Sequence, residues 1–443
     1  MTMARRRIVI AGGSIAGITA AKELRKAGFD GTVCVLDRDP AAPYRRPAVS
    51  KAVLSANGRP GVVAIAVAED LDLVRHSGAS LESLDVRRRL VAGRREGERF
   101  EIGYDGLIIA TGAKARPWPI ARGLGGIFTL RTLADATGLR AALAAAQHLV
   151  IVGAGFIGLE VASVAHEAGT RVTVVEMACS PLAHVLGPDL GEHMAAMHRA
   201  RGTTILTGAT ITEVHGAASV EAVTLSDGRR LDADLVLACV GSAPEVSWLA
   251  SSGLDISNGV MADHRCVVDP GACIVAAGDV VSWHNPLYER RMRVEHWANA
   301  LEQGAFAARA LLGTAPAAGL SSVPYFWSEQ CGTRLQSIGT SSGHDETVIL
   351  SQDGESMAVA YGRAGTLTGV AGIGVGSAIL GYRPLIEQRT ALTSLAERNL
   401  VVQLCQSQDS APRSRNACAR SVSTTCPNAR LKRRRTGCCT ASG

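Results

Sequence analysis

Two glycine-rich turns, each behind a run of apolar residues, constrain this chain more than any other feature. Gly12-Gly13-Ser14-Ile15-Ala16-Gly17 follows Ile8-Val9-Ile10-Ala11, and Gly153-Ala154-Gly155-Phe156-Ile157-Gly158 follows Leu149-Val150-Ile151-Val152. Each has the strand, tight turn and helix start that dinucleotide binding requires. Backbone N–H groups at such a helix start face the pyrophosphate, and the helix dipole favours its charge. One such turn is a weak signal. Two in one chain imply two dinucleotides held together, a flavin and a nicotinamide.

Acidic residues follow each turn at the expected interval. Thr32-Val33-Cys34-Val35-Leu36 reads as a strand ending at Asp37, twenty residues beyond Gly17. Arg171-Val172-Thr173-Val174-Val175 ends at Glu176, eighteen beyond Gly158. A carboxylate there accepts hydrogen bonds from a ribose. At Glu176 it also repels a 2′-phosphate, and Met177 to Ser180 supply no Arg or Lys to hold one. The second site is therefore expected to prefer NADH to NADPH.

The 443 residues suffice for two or three domains, and 47% hydrophobic content with 48 Gly suits an α/β protein. No stretch reads as a transmembrane helix. Met1 to Arg7 runs straight into the first strand, so a cytoplasmic location is expected. The net charge of +6 is concentrated at the end: from Val401 onward there are eight Lys or Arg and one Asp, which leaves the body at −1. A basic balance of that kind is no argument for a nucleic-acid partner. Five of the eleven Cys also lie there, with no C-x-x-C and no two-pair spacing that would hold a metal. Cys34 and Cys239 sit in apolar strand contexts and read as small buried residues.

The expected architecture is α/β: two Rossmann-like dinucleotide-binding domains and an α+β C-terminal domain. Residues 1–112 and 241–320 form a discontinuous FAD-binding domain into which 113–240 inserts an NAD-binding domain. Residues 321–399 form a C-terminal interface domain. There, Met357-Ala358-Val359-Ala360-Tyr361 suggests antiparallel strands and Arg383 to Asn399 a helix. Residues 400–443, rich in Ser, Thr, Arg and Cys, are expected to be a disordered, dispensable tail.

Over residues 5 to 397 the chain resembles the FAD-dependent NAD(P)H:ferredoxin reductases of the putidaredoxin and rhodocoxin reductase kind, which share the pyridine nucleotide-disulfide oxidoreductase fold. The stretch Pro43-Tyr44-Arg45-Arg46-Pro47-Ala48-Val49-Ser50-Lys51 is its most specific part. The resemblance implies that Arg46 and Lys51 lie beside the flavin, Lys51 near the isoalloxazine, where a cation stabilises reduced flavin. It implies that Leu81 contacts adenine through its backbone. Arg131, in Arg131-Thr132-Leu133-Ala134-Asp135, matches a flavin-contacting residue. Asp279, in Ala277-Gly278-Asp279-Val280, matches the ribityl-binding acid. Trp297, in Val294-Glu295-His296-Trp297-Ala298-Asn299-Ala300, matches the helix start over the pyrimidine edge, and Trp327, in Val323-Pro324-Tyr325-Phe326-Trp327-Ser328, matches a residue near the ring. Glu160 falls where an acid lies near the nicotinamide carboxamide. Two positions depart: Ser14 replaces the second Gly of the first turn, and Cys239 stands where Gly is usual.

The implied function is electron transfer from NADH through FAD to a two-iron, two-sulfur ferredoxin serving an oxygenase. The alternatives are a rubredoxin reductase or an apoptosis-inducing-factor-like NADH-binding flavoprotein. Disulfide reductase chemistry is excluded, because no Cys lies between Cys34 and Cys179, and Ala42 is not the single Cys of an NADH oxidase or peroxidase. Hydride transfer to flavin requires no side-chain acid or base, so no catalytic residue is expected and His296 is given no proton-transfer role. Arg290, Arg291 and Arg293 are candidate docking cations for an acidic ferredoxin.

Overall fold

The computed structural model describes residues 6–55, 63–121, 123–397 and 433–435. Contacts divide the chain into two compact units, residues 1–178 with 202–324 and residues 179–201 with 325–443.

The first unit holds both dinucleotide folds. Arg7–Ala11 is the centre of a six-stranded sheet, flanked by Thr32–Asp37 and Leu73–Ser77 on one side. Gly106–Ile109, Ile274–Ala276 and Val267–Asp269 lie on the other side. The central strands pair in parallel, Ile8 with Val33 and with Gly106. Their near-continuous apolar sequence follows from burial on both faces: Val9, Ile10, Leu107, Ile108 and Ile109 are completely buried. The helix Ile15–Lys26 leaves the first turn and packs against the helix Trp297–Leu311. The approach is close because Gly304 has no side chain; a Cβ there would lie 2.4 Å from the Ala16 carbonyl oxygen.

A second parallel sheet runs Thr204–Thr207, Arg171–Glu176, His148–Val152, Leu235–Ala238, Ile127–Phe128. The helix Phe156–Glu167 leaves its central strand. Each sheet is accompanied by a three-stranded antiparallel meander, Ser80–Asp85 to Glu98–Gly103 in one and Ile211–His215 to Arg230–Asp232 in the other. The chain leaves the fold of the first sheet along Ala113–Ala115 and returns along Ser242–Pro244, and these two segments pair as an antiparallel ribbon.

The second unit is a mainly antiparallel sheet in the order Tyr325–Gln330, Thr333–Gly339, Thr366–Ile373, Ser356–Arg363, Glu346–Asp353, Arg433–Arg435. Two expectations change here. The single helix from Arg383 to Asn399 is broken into Arg383–Glu387 and Ser394–Glu397. Arg389 adopts a left-handed φ of 52°, Thr390 N–H donates to the Leu385 carbonyl, and Leu392 N–H donates to Gly365. That reversal closes the first helix. Residues 179–201, expected within the NAD-binding insertion, group with this sheet. They carry the helix Ala183–Ala200, kinked where Gly187 (φ 75°) precedes Pro188. The kink frees carbonyl oxygens, and side chains from the sheet and one of its loops take them up: Tyr361 Oη donates to Leu186 at 2.6 Å and Ser341 Oγ to Val185. Of the expected disordered tail, Arg433–Arg435 pairs antiparallel with Glu346–Val348; the rest of 400–443 lies outside the described residues.

Candidate functional site

The two glycine turns are built alike. Gly12 has φ +114° and a Cβ there would lie 2.1 Å from the Ala110 carbonyl oxygen; Gly153 has φ +97° and would meet the Cys239 carbonyl at 2.5 Å. Gly17 and Gly158 would each collide with the carbonyl of the turn's own first glycine, at 1.9 and 2.3 Å. These positions need Gly so that helix and strand can close around the turn. Around Gly155, by contrast, nothing lies within 4 Å of the Cβ position. Its missing side chain leaves space for a ligand.

At the corresponding position of the first turn, Ser14 is an extended helix cap with no capping bond from its own hydroxyl. That hydroxyl instead faces Arg46, whose Nε donates at 3.4 Å. Ala16 is buried against Gly304 and Gly278, so it spaces the helices. Asp37 closes the strand beside the turn, 2.7 Å from where a Gly13 Cβ would stand, and accepts from Asp39 N–H. Burial raises its carboxyl pKa; the Asp39 backbone bond and the Arg46 charge oppose that.

A cavity of about 690 Å³ opens here, lined among others by Gly12, Asp37, Arg46, Leu81 and Arg131. That size suits a small-molecule site. Arg46 is anchored by a bond from Nη1 to the Arg131 carbonyl and lies over the Tyr44 ring at 5.4 Å. Arg131 donates from Nη2 to Asp279 Oδ2 at 2.6 Å and from Nε to Ala113. Burial raises the pKa of Asp279, and Arg131 acts to lower it. The glycine clearances, the paired cations and the cavity fit an adenine dinucleotide with a long polar linker.

Lys51 and Glu160 connect the two folds inside this unit. Lys51 Nζ lies 2.7 Å from Glu160 Oε2, the same carboxylate accepts from Ser50 Oγ, and Lys51 also donates to the Pro47 carbonyl. Glu160 is buried on the helix that leaves the second turn. Glu176 accepts from Ala154 N–H at 2.6 Å and Ala178 N–H at 2.8 Å. Cys239 is partly buried, and burial pushes its thiol up to about 12, so it stays protonated. Trp297 opens its helix, with His296 as cap. Burial lowers His296 to about 4, so it is neutral at physiological pH. Trp327 belongs to the second unit, where it stacks on Tyr325 with centroids 6.1 Å apart.

Two of the candidate docking arginines are committed internally. Arg291 donates to the carbonyls of Ala262 and Ser282. Arg293 pairs with Glu295 and donates to the Asp279 carbonyl. Sequence reasoning also missed Glu245. This acid follows the return strand of the ribbon and lines the cavity, accepting from Arg38, Lys114 and Ser247. No local motif marks it, because its two cationic partners, Arg38 and Lys114, come from segments distant in sequence.

Two dinucleotide cradles in one unit, with no thiol pair beside the first among the described residues, define the class as a two-dinucleotide oxidoreductase. The comparisons agree. Residues 6–304 match the family described as pyridine nucleotide-disulphide oxidoreductase, and residues 325–406 match the reductase C-terminal family. The chain belongs to the pyridine nucleotide-disulphide oxidoreductase family, in its ferredoxin reductase branch, and is an FAD- and NADH-dependent oxidoreductase. Putidaredoxin reductase CamA of Pseudomonas putida is 32% identical over 355 residues, covering 77% of this chain and 82% of that protein. The ferredoxin reductase component of chlorobenzene dioxygenase from Cupriavidus sp. (strain PS12) is 34% identical, covering 87% and 93%. Putidaredoxin reductase in its covalent complex with putidaredoxin superposes with a TM-score of 0.83 at 28% identity, over 92% of this chain and 100% of that one. The chain thus has the fold of those ferredoxin reductases. No helix among the described residues is long and apolar enough to cross a membrane.

Proposed function

We propose that this protein carries electrons from NADH to a two-iron, two-sulfur ferredoxin that supplies an oxygenase. The observation that carries this reading is the similarity, over 92% of this chain, to a reductase held in complex with putidaredoxin. When bound, FAD accepts a hydride equivalent from the nicotinamide and releases single electrons to the acceptor.

The chain's own part is positioning and charge. Gly12, Ser14, Ala16 and Gly17 form the first cradle, with Asp37 accepting from the ribose and Leu81 beside the adenine. Arg46, Arg131 and Asp279 hold the linker, and Trp297 heads the covering helix. Gly153, Gly155, Gly158 and Glu176 hold NADH. Lys51, fixed by Glu160, supplies a cation that favours electron gain by the flavin. We assign residues 1–112 and 241–320 to FAD binding, 113–240 to NAD binding apart from the helix that joins the second unit, and 321–399 to the C-terminal interface domain.

The test is NADH-driven cytochrome c reduction with a two-iron, two-sulfur ferredoxin, with a rubredoxin, and with no carrier. Strong stimulation by the ferredoxin alone is expected. Stimulation by rubredoxin alone would replace the proposed acceptor, and turnover indifferent to both would overturn the carrier role.

A further inference from the structure

Arg38 and Glu245 lie 207 positions apart yet meet across the flavin cavity, Arg38 Nη1 standing 2.9 Å from Glu245 Oε2. Both residues line that cavity. Arg38 follows Asp37 directly, so one wall of the contact is the segment that accepts the ribose. Glu245 follows the ribbon strand Ser242–Pro244, so the other wall is the segment returning from the NAD fold. The other oxygen is doubly held: Lys114 Nζ donates to Oε1 at 3.1 Å and Ser247 Oγ at 2.6 Å. The main chain behind it is fixed by Glu245 N–H to the Gly112 carbonyl and by Thr111 Oγ1 to the Glu245 carbonyl. One partner is enclosed and the other reaches out into solvent. The Glu245 side chain is 11% exposed, those of Arg38 and Lys114 60% and 43%.

That asymmetry suits a clasp. A buried, preformed acceptor waits on one wall, and a long solvated cation reaches it from the wall that also carries the ribose acceptor. Opening costs one exposed ion pair, a weak and salt-screened interaction. Closing ties the Asp37 segment to the ribbon that joins the two dinucleotide folds. Resting on FAD occupancy of this cavity, we propose that Arg38 and Glu245, braced by Lys114, form a salt-sensitive clasp that retains FAD and sets its rate of release.

The experiment measures FAD release from the holoprotein by the rise of flavin fluorescence on dilution, for the parent, Arg38→Gln, Glu245→Gln and the double variant. Release should quicken about fivefold in either single variant and no further in the double, in keeping with one shared interaction. Rising ionic strength should speed release from the parent and leave the double variant unchanged. Equal melting temperatures of the apoproteins separate the clasp from a folding defect, and Lys114→Gln, which spares the Arg38 contact, should give a smaller effect. Release rates unchanged in both single variants, or additive in the double, would overturn the clasp. A parent that takes up no FAD would instead overturn the assignment of the cavity.

Discussion

Glu176 shapes the second turn, since its carboxylate accepts from Ala154 and Ala178 N–H groups, and the proposed function has it face the NADH ribose as well. Each oxygen keeps a lone pair for a ribose hydroxyl, whereas a 2′-phosphate would meet a negative charge. Glu176→Arg should therefore lose NADH kcat/KM by about tenfold and move preference toward NADPH, at roughly 1.5–3 kcal/mol per charge-assisted bond. Equal kcat/KM for the two cofactors in the parent would defeat this account. His296 makes a prediction in pH. Its pKa falls from 6.5 to about 4 because burial penalises the charged form. The unfolded chain therefore binds more protons between those values, so the stabilising contribution is present above pH 6.5 and is lost as pH falls toward 4. His296→Gln should flatten that part of the melting-temperature profile. Turnover should show no ionisation from this residue near neutrality, and identical profiles for parent and variant would contradict its burial.

Among the elements, the glycine turns separate fold from ligand. Gly12→Ala places a Cβ 2.1 Å from a backbone oxygen at a φ that L side chains avoid, so the protein should lose FAD and stability together. Gly155→Ala meets no protein atom, so melting temperature and flavin content should hold. The KM for NADH should rise by about tenfold as the methyl occupies the pyrophosphate approach. An unchanged KM would mean that the dinucleotide passes elsewhere. These turns were legible in the sequence because strand, turn and helix start are contiguous there, and so were Asp37 and Glu176 at the ends of the next strands. The ribbon of Ala113–Ala115 with Ser242–Pro244 and the acid Glu245 were not, because each depends on segments distant in sequence. The helix break at Arg389 was hidden for a similar reason. Helical composition continues through it, but Leu392 N–H donates to Gly365 in the turn between two strands of the sheet, and that tertiary bond overrides local propensity.

For the whole molecule, charge and function are distributed differently. The basic excess lies beyond residue 400, while the glycine turns, Asp37, Arg46, Arg131, Asp279 and Glu176 all lie in the first unit. The match to the reductase C-terminal family ends at residue 406. Beyond it the described chain contributes the strand Arg433–Arg435, paired over three residues with the edge of the second unit's sheet. Three pairs at a sheet edge add little to stability, and covering an edge mainly limits unwanted strand pairing. A chain ending at residue 406 should thus keep one FAD, its NADH-dependent ferricyanide reduction, and a melting temperature within a few degrees of the parent. It should self-associate more readily, because Glu346–Val348 then loses its strand partner at the sheet edge. Flavin content, initial rate and light scattering of both chains decide the matter. Loss of flavin or half the activity on truncation would make the tail part of the working fold, whereas unchanged self-association would leave the terminal strand without a protective role.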